Sequence, residues 1–291
     1  MKTSSWFIRS LMIFQFAFLV FNLQAQVEEP EFVFEPSLGQ AGKDVIWVPT
    51  PDKLVDKMLE IAKVTADDFV IDLGSGDGRT VIAAAKLGAR ALGIEYNPDM
   101  IRLSLKNAEN AGVKGKTDFI ETDLFKYDLS EATVITMFLL TDINLSLRPK
   151  ILDLKPGTRI VSNTFDMGAW KPDLKATIDN YSETYDDEMY EEDWNSWTKA
   201  LLWIVPAKVE GRWKFGEGEL SINQEFQMFY GTYRIGPKTK LIENGKLDGS
   251  SISFSIDGNK YSGHVNGDKT MEGTVNTGSS RKKWIATYSG K

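Results

Sequence analysis

The spacing of apolar positions changes three times along the chain. Residues 11–21 form a nearly continuous apolar run, and residues 26–44 show no period. From about Val45, short apolar runs alternate with stretches of helical spacing. Leu54, Val55, Met58, Leu59 and Ala62 recur on one helical face after Pro51. Residues 69–73 read as a buried strand, 80–87 as an Ala-rich helix ended by Gly88, and 91–95 as the next strand. Pro98 opens a further helix, a position that suits its fixed φ and missing N–H. Strands are expected at 117–121, 133–140 and 159–162, with a helix at 145–154. Strand–helix alternation predicts an α/β fold, a doubly wound and mostly parallel sheet covered by helices.

After Pro206 helical spacing vanishes and period-two runs take over, as at residues 220–224, 251–256, 270–275 and 284–288. Turn signals separate them, such as Glu243-Asn-Gly245, Asp257-Gly-Asn259 and Asn266-Gly-Asp268. This pattern predicts an all-β antiparallel barrel or sandwich. The organisation expected is therefore a signal peptide at 1–25, an arm at 26–44, an α/β domain at 45–206 and a β-rich module at 207–291. Lys2 and Arg9, the apolar run and the small residue Ala25 fit export by a secretory signal. The run is shorter than the about 20 residues of a comfortable span, so no stable membrane span is expected after cleavage. The alternative is a chain anchored through residues 11–25.

Composition narrows the chemistry. There are 34 basic and 41 acidic side chains, a net charge of −7 that argues against a nucleic-acid partner. With no Cys and one His, His264, the chain lacks thiolate chemistry and a His-rich metal site. No metal is expected, and His264 lies in the β module, away from any motif. Residues 173–193 hold nine acids against Lys175. They read as a solvated connection containing a strand or, more sharply, as a rim that attracts a cationic substrate.

The informative stretch is Val70-Ile-Asp72-Leu-Gly74-Ser75-Gly76-Asp-Gly78. A strand enters a glycine-rich loop, where the missing Cβ lets backbone approach a ligand closely. Arg79 stands where a dinucleotide fingerprint has its third glycine, and Asp72 and Asp77 flank the loop. That acidity discourages a pyrophosphate and suits an adenosyl ligand carrying a positive sulfonium. Glu95 ends the second strand, where a carboxylate can accept from both ribose hydroxyls. Asp123 follows the third, placed to accept from an adenine amino group, with Leu124 packing on the ring. All three acids lie at carboxyl ends of consecutive strands, where doubly wound sheets bind ligands.

Residues 45–165 resemble the class I S-adenosylmethionine-dependent methyltransferases, with Asp72-Leu-Gly-Ser-Gly-Asp-Gly as the nucleotide loop. Trp47-Val-Pro-Thr-Pro51, Leu139-Leu-Thr-Asp-Ile-Asn-Leu-Ser-Leu-Arg-Pro149 and Pro156-Gly-Thr-Arg-Ile-Val-Ser162 look more narrowly like the group of ATP-synthase c-subunit lysine methyltransferases and their bacterial relatives. The resemblance implies S-adenosyl-L-methionine as cofactor and methylation of an amine, a protein lysine or a small molecule. The signal segment and the β module are departures from that group. Asp142 and Asn144, beyond the fourth strand, are the candidates for orienting the acceptor amine. Otherwise they cap a helix starting near Leu145. Trp47 and Thr50 are placed to close over the cofactor. Arg148 is expected to pair with a neighbouring acid. If transfer is not retained, the chain reads as a scaffold of the cell envelope that engages a partner through its β module.

Overall fold

The computed structural model describes residues 33–178, 197–267, 269–278 and 280–290. The expected signal segment, residues 26–32 of the arm and residues 179–193 of the acidic stretch lie outside them. The chain divides into two units, Met1–Glu35 and Pro36–Lys291, and only residues 33–35 of the first are described.

In the second unit, seven strands form one sheet: β1 (Phe69–Leu73), β2 (Arg90–Glu95), β3 (Thr117–Glu121), β4 (Val134–Met137), β5 (Arg159–Asn163), β6 (Leu174–Thr177) and β7 (Lys199–Ile204). Their order is β3-β2-β1-β4-β5-β7-β6. The pairs among β1 to β5 are parallel, and β7 runs antiparallel to both β5 and β6. Val70, Ile71 and Leu73 are wholly buried, which explains a continuous apolar run rather than alternation: both faces of β1 are covered. Helices α1 (Asp52–Ile61) and α2 (Arg79–Lys86) pack Leu54, Met58, Val81 and Ala84 on one face. Helix α4 (Thr141–Leu152) packs Leu147 and Ile151 on the other, beside Trp170 and Trp203. Helix α3 (Pro98–Asn110) starts at an Asn97 cap whose side chain accepts from the Asp99 amide at 2.9 Å.

Two boundaries differ from expectation. The fourth strand stops at Met137, and the following helix begins at Thr141. Phe138 and Leu139 leave the sheet to line a cleft, so their apolar character there is not strand burial.

The β module is a closed eight-stranded barrel of β8 (Gly211–Phe215), β9 (Gly218–Glu225), β10 (Met228–Ile235), β11 (Lys238–Asp248), β12 (Ser251–Ile256), β13 (Asn259–Asn266), β14 (Thr270–Thr277) and β15 (Ser280–Gly290). Pairing of β15 with β8 closes it, which leaves no bare edge. The interior holds Trp213, Phe215, Phe229, Phe254 and Trp284, and His264 is exposed on β13.

The barrel is seated on the sheet domain. The Phe226 ring stacks on Trp170 at 5.9 Å between centroids. Gln227 Nε2 donates to the Lys171 carbonyl at 2.8 Å and to Asp173 Oδ1 at 3.4 Å. Arg148 belongs to this joint rather than to an acid: it donates to Met167 O at 2.8 Å and lies over the Phe226 ring. No helix among the described residues is long and apolar enough to cross a membrane.

Candidate active site

Strand order reverses between β1 and β4, and the cleft opens at the carboxyl ends of the strands around that point. Its walls come from the arm, the glycine loop, the ends of β2 and β3, and the residues after β4. About 1060 Å³ of non-protein space lies between them, its mouth included.

Gly74, Gly76 and Gly78 all have positive φ, at 75°, 53° and 82°, a region that a Cβ makes costly. A Cβ on Gly76 would stand 2.6 Å from the indole nitrogen of Trp47, so the arm closes directly on the loop. Helix α3 holds the loop from behind. Ser104 Oγ donates to Gly76 O at 2.8 Å, and Asn107 Nδ2 to Asp77 O at 2.9 Å. Arg79 forks onto both Asp77 oxygens and donates to the Thr50 carbonyl at 3.0 Å. It thereby ties the arm to the loop. Thr50 is buried, and its hydroxyl accepts from Asn163 Nδ2 at 3.4 Å.

Glu95 braces the other side. One oxygen accepts the Gly76 amide at 3.0 Å, and the second accepts the amides of Tyr96 and Asn97 at 2.8 and 2.9 Å. A carboxylate offers about four acceptor directions, and three are taken, so one remains for a hydroxyl. Asp72 is buried and accepts from the Thr136 hydroxyl at 2.6 Å. Burial pushes its carboxyl up to about 7, the Thr136 bond opposing and the nearby Asp77 and Glu95 charges adding to the rise. Ser75 Oγ is buried on the cleft wall without a hydrogen-bond partner, a polar atom that a ligand can satisfy.

Asp123 accepts from the Phe125 amide and, at 2.8 Å, from Lys43 Nζ on the arm. Those two bonds, Lys43 first, hold its carboxyl below the usual range. Lys43 also lies 5.1 Å from the centre of the Tyr96 ring. Leu124 lines the same end of the cleft. Trp47, Thr50, Asp72, Gly74, Ser75, Gly76, Glu95, Asp123 and Leu124 thus share one hollow.

The ANTKMT methyltransferase domain family matches residues 72–174. A protein-lysine N-methyltransferase of Saccharolobus islandicus (strain REY15A) is 52% identical over 131 residues, 44% of this chain and 81% of that enzyme. The chain belongs to the protein-lysine N-methyltransferase family. The ATP synthase c-subunit lysine N-methyltransferase of Mus musculus is 35% identical over 128 residues, 44% of this chain and only 51% of that relative. An RNA methyltransferase from Salinibacter ruber, solved with S-adenosyl-L-homocysteine, is 43% identical, covers 56% of this chain and 96% of that one, and has a TM-score of 0.48.

This methyltransferase uses S-adenosyl-L-methionine. The cleft fits that group: Glu95, Asp123 and Leu124 line it at the ends of β2 and β3, and the glycine loop adds Ser75 with its unpartnered hydroxyl.

Asp142 and Asn144 require correction. Neither lines the cleft, and both lie inside α4, whose cap position is Leu140 without a capping side chain. Asp142 is exposed. Asn144 is fully buried, and its Nδ2 donates to the carbonyls of Phe165 and Asp166 at 3.2 and 3.3 Å. Asn144 therefore shapes the turn after β5 and does not reach an acceptor. Sequence reasoning missed Lys43, Tyr96, Phe138 and the α3 anchors Ser104 and Asn107. Only the last two carried a signal, as polar residues on an otherwise apolar helix face.

Proposed function

We propose that this exported chain transfers a methyl group to the ε-amine of a lysine in a protein of the cell envelope. Support for lysine comes from the 52% identity to a protein-lysine N-methyltransferase, which the chain covers over 81% of its length. Support for export is the Lys2/Arg9, apolar 11–21 and Ala25 pattern.

Bound S-adenosylmethionine supplies a methyl carbon made electrophilic by its sulfonium. The chain's own residues supply position, which is the larger part of such an acceleration. Glu95 and Asp123 fix the ligand at two separated points, and Trp47 and Arg79 hold the arm against the loop. The acceptor nitrogen enters by the β4 end, past Phe138. A lysine amine titrates near 10.4, so it must first release a proton, and no carboxylate of the cleft is needed if water takes it. Freed of that proton, the amine would offer its lone pair to the methyl carbon, and the carbon–sulfur electron pair would stay on sulfur.

The test is incubation of the purified full chain with methyl-labelled cofactor and envelope extract. Label recovered as methyl-lysine, and lost with Glu95→Ala, supports the reading. Label in nucleic acid, or in no macromolecule at all, overturns it. Cell fractionation that finds an uncleaved cytosolic product overturns the export half.

A further inference from the structure

The arm grades from an exposed tip to a buried root. Residues 41–44 are exposed, whereas Thr50 is buried on the cleft wall. The root is fixed. The Thr50 carbonyl accepts from Arg79 at 3.0 Å, and the Trp47 indole stands against Gly76. The tip is a tight turn, in which the Gly42 amide donates to Val45 O at 3.0 Å and the Trp47 amide to Gln40 O at 2.9 Å. A Cβ on Gly42 would lie 2.2 Å from Val45 O, so the turn is built around a glycine.

This turn presents Lys43 across the cleft to the ends of β2 and β3. Lys43 Nζ donates to Asp123 Oδ2 at 2.8 Å, lies 5.1 Å from the centre of the Tyr96 ring, and is 3.8 Å from Asp44 Oδ2. The other Asp123 oxygen accepts the Phe125 amide at 2.9 Å. Both oxygens thus have partners. Lys43 and Asp123 both line the cleft, so a ligand donor that approaches this carboxylate meets the Lys43 ammonium. The side chains of the pair keep 34% and 19% of their surface, within reach of water and salt.

We propose that Lys43 is a latch: its ion pair with Asp123 holds the arm tip across one end of the cleft, and S-adenosyl-L-methionine enters by taking its place on that carboxylate. Arg79 keeps the root in position, so the tip swings while the Trp47 wall stays. Once displaced, Lys43 retains Asp44 and the Tyr96 ring as neighbours. An ion pair this exposed favours its closed form by no more than a few-fold, so the latch slows entry without blocking it. Binding to a chain that is open part of the time weakens in proportion to that fraction. The latch rests on the cofactor reading above and on Asp123 as a ligand contact.

The test is the kinetics of S-adenosyl-L-homocysteine binding to the immobilised full chain, read by surface plasmon resonance. Lys43→Met keeps a long stem and loses the charge. It should raise the association rate about two- to fivefold and leave dissociation unchanged. Lys43→Arg should keep the slow association. Gly42→Ala displaces the turn with Lys43 still present, and should match Lys43→Met. Raising salt from about 0.05 to about 0.5 M should speed association with the unaltered chain and leave Lys43→Met as it was. Unchanged association in Lys43→Met overturns the latch. So does faster dissociation, which would make Lys43 a ligand contact instead. Asp123→Asn tests the footing. Weaker binding supports Asp123 as a ligand contact, and a gain equal to that of Lys43→Met overturns the exchange while leaving cofactor use intact.

Discussion

The sheet domain and the barrel bury different things. Of the buried polar side chains among the described residues, all but Gln227 lie between Thr50 and Asn163. Gln227 belongs to the joint, since it donates to the Lys171 carbonyl. The barrel interior is instead apolar and aromatic, with Phe254 stacked on Tyr261 at 4.8 Å and Trp284 edge-on to both. Among those polar side chains, Thr50, Asp72, Ser75 and Thr80 line the cleft, and buried polar groups weaken a fold unless bonded. Buried polarity thus belongs to the sheet domain, while the barrel core is apolar.

The sharpest way to break that contrast is Phe254→Ala. Truncating a buried aromatic costs about 3–5 kcal/mol, so the barrel transition in thermal unfolding should drop steeply. Affinity for S-adenosyl-L-homocysteine in the folded protein should not change, and parallel loss of binding would show that the two halves do not separate. Glu95→Ala should do the reverse. Loss of the charged acceptor, and of the Gly76 amide's partner, should weaken the ligand about 100-fold in calorimetry. The circular dichroism spectrum should stay the same.

Gly76→Ala places a methyl group against the Trp47 indole at a backbone angle of φ 53°. It should cost about 1–3 kcal/mol and make Trp47 more accessible to fluorescence quenching. Asp72 gives a pH signature. The folded chain keeps its proton up to about 7, whereas an unfolded Asp loses it near 3.9. Stability should therefore fall as pH rises from about 4 to about 7 and level off above. Denaturant midpoints across that range should show the slope, and Asp72→Asn should flatten it. The smallest effect is expected for Lys43→Ala, which frees one Asp123 oxygen. Ligand affinity should rise about two- to fivefold and lose part of its salt dependence.

Much of the cleft was legible because its parts recur at strand ends. The apolar run into Gly74-Ser-Gly76, the acid closing β2 and the acid after β3 each sit where a parallel sheet forces ligands to bind, and all line one hollow. The barrel was legible as alternation, although period two alone did not separate barrel from sandwich. Closure depends on β15 meeting β8, strands about 70 residues apart. The acceptor side was not legible. Asp142 and Asn144 suggested a polar hand for the amine because Leu139 and Leu140 read as strand. The helix instead begins at Thr141 and turns Asn144 inward. Lys43 was hidden in an arm without periodicity.

The β15–β8 seam also sets an order of assembly. Residues 286–290 complete a ladder begun at 211–215, so the cylinder cannot shut until its last strand is available. Until then β8 and β14 stand with bare flanks, open to any neighbouring chain. The sheet, complete at Ile204, can form while those flanks wait. Trimming the final strand should thus yield aggregation through the barrel and leave the nucleotide hollow formed.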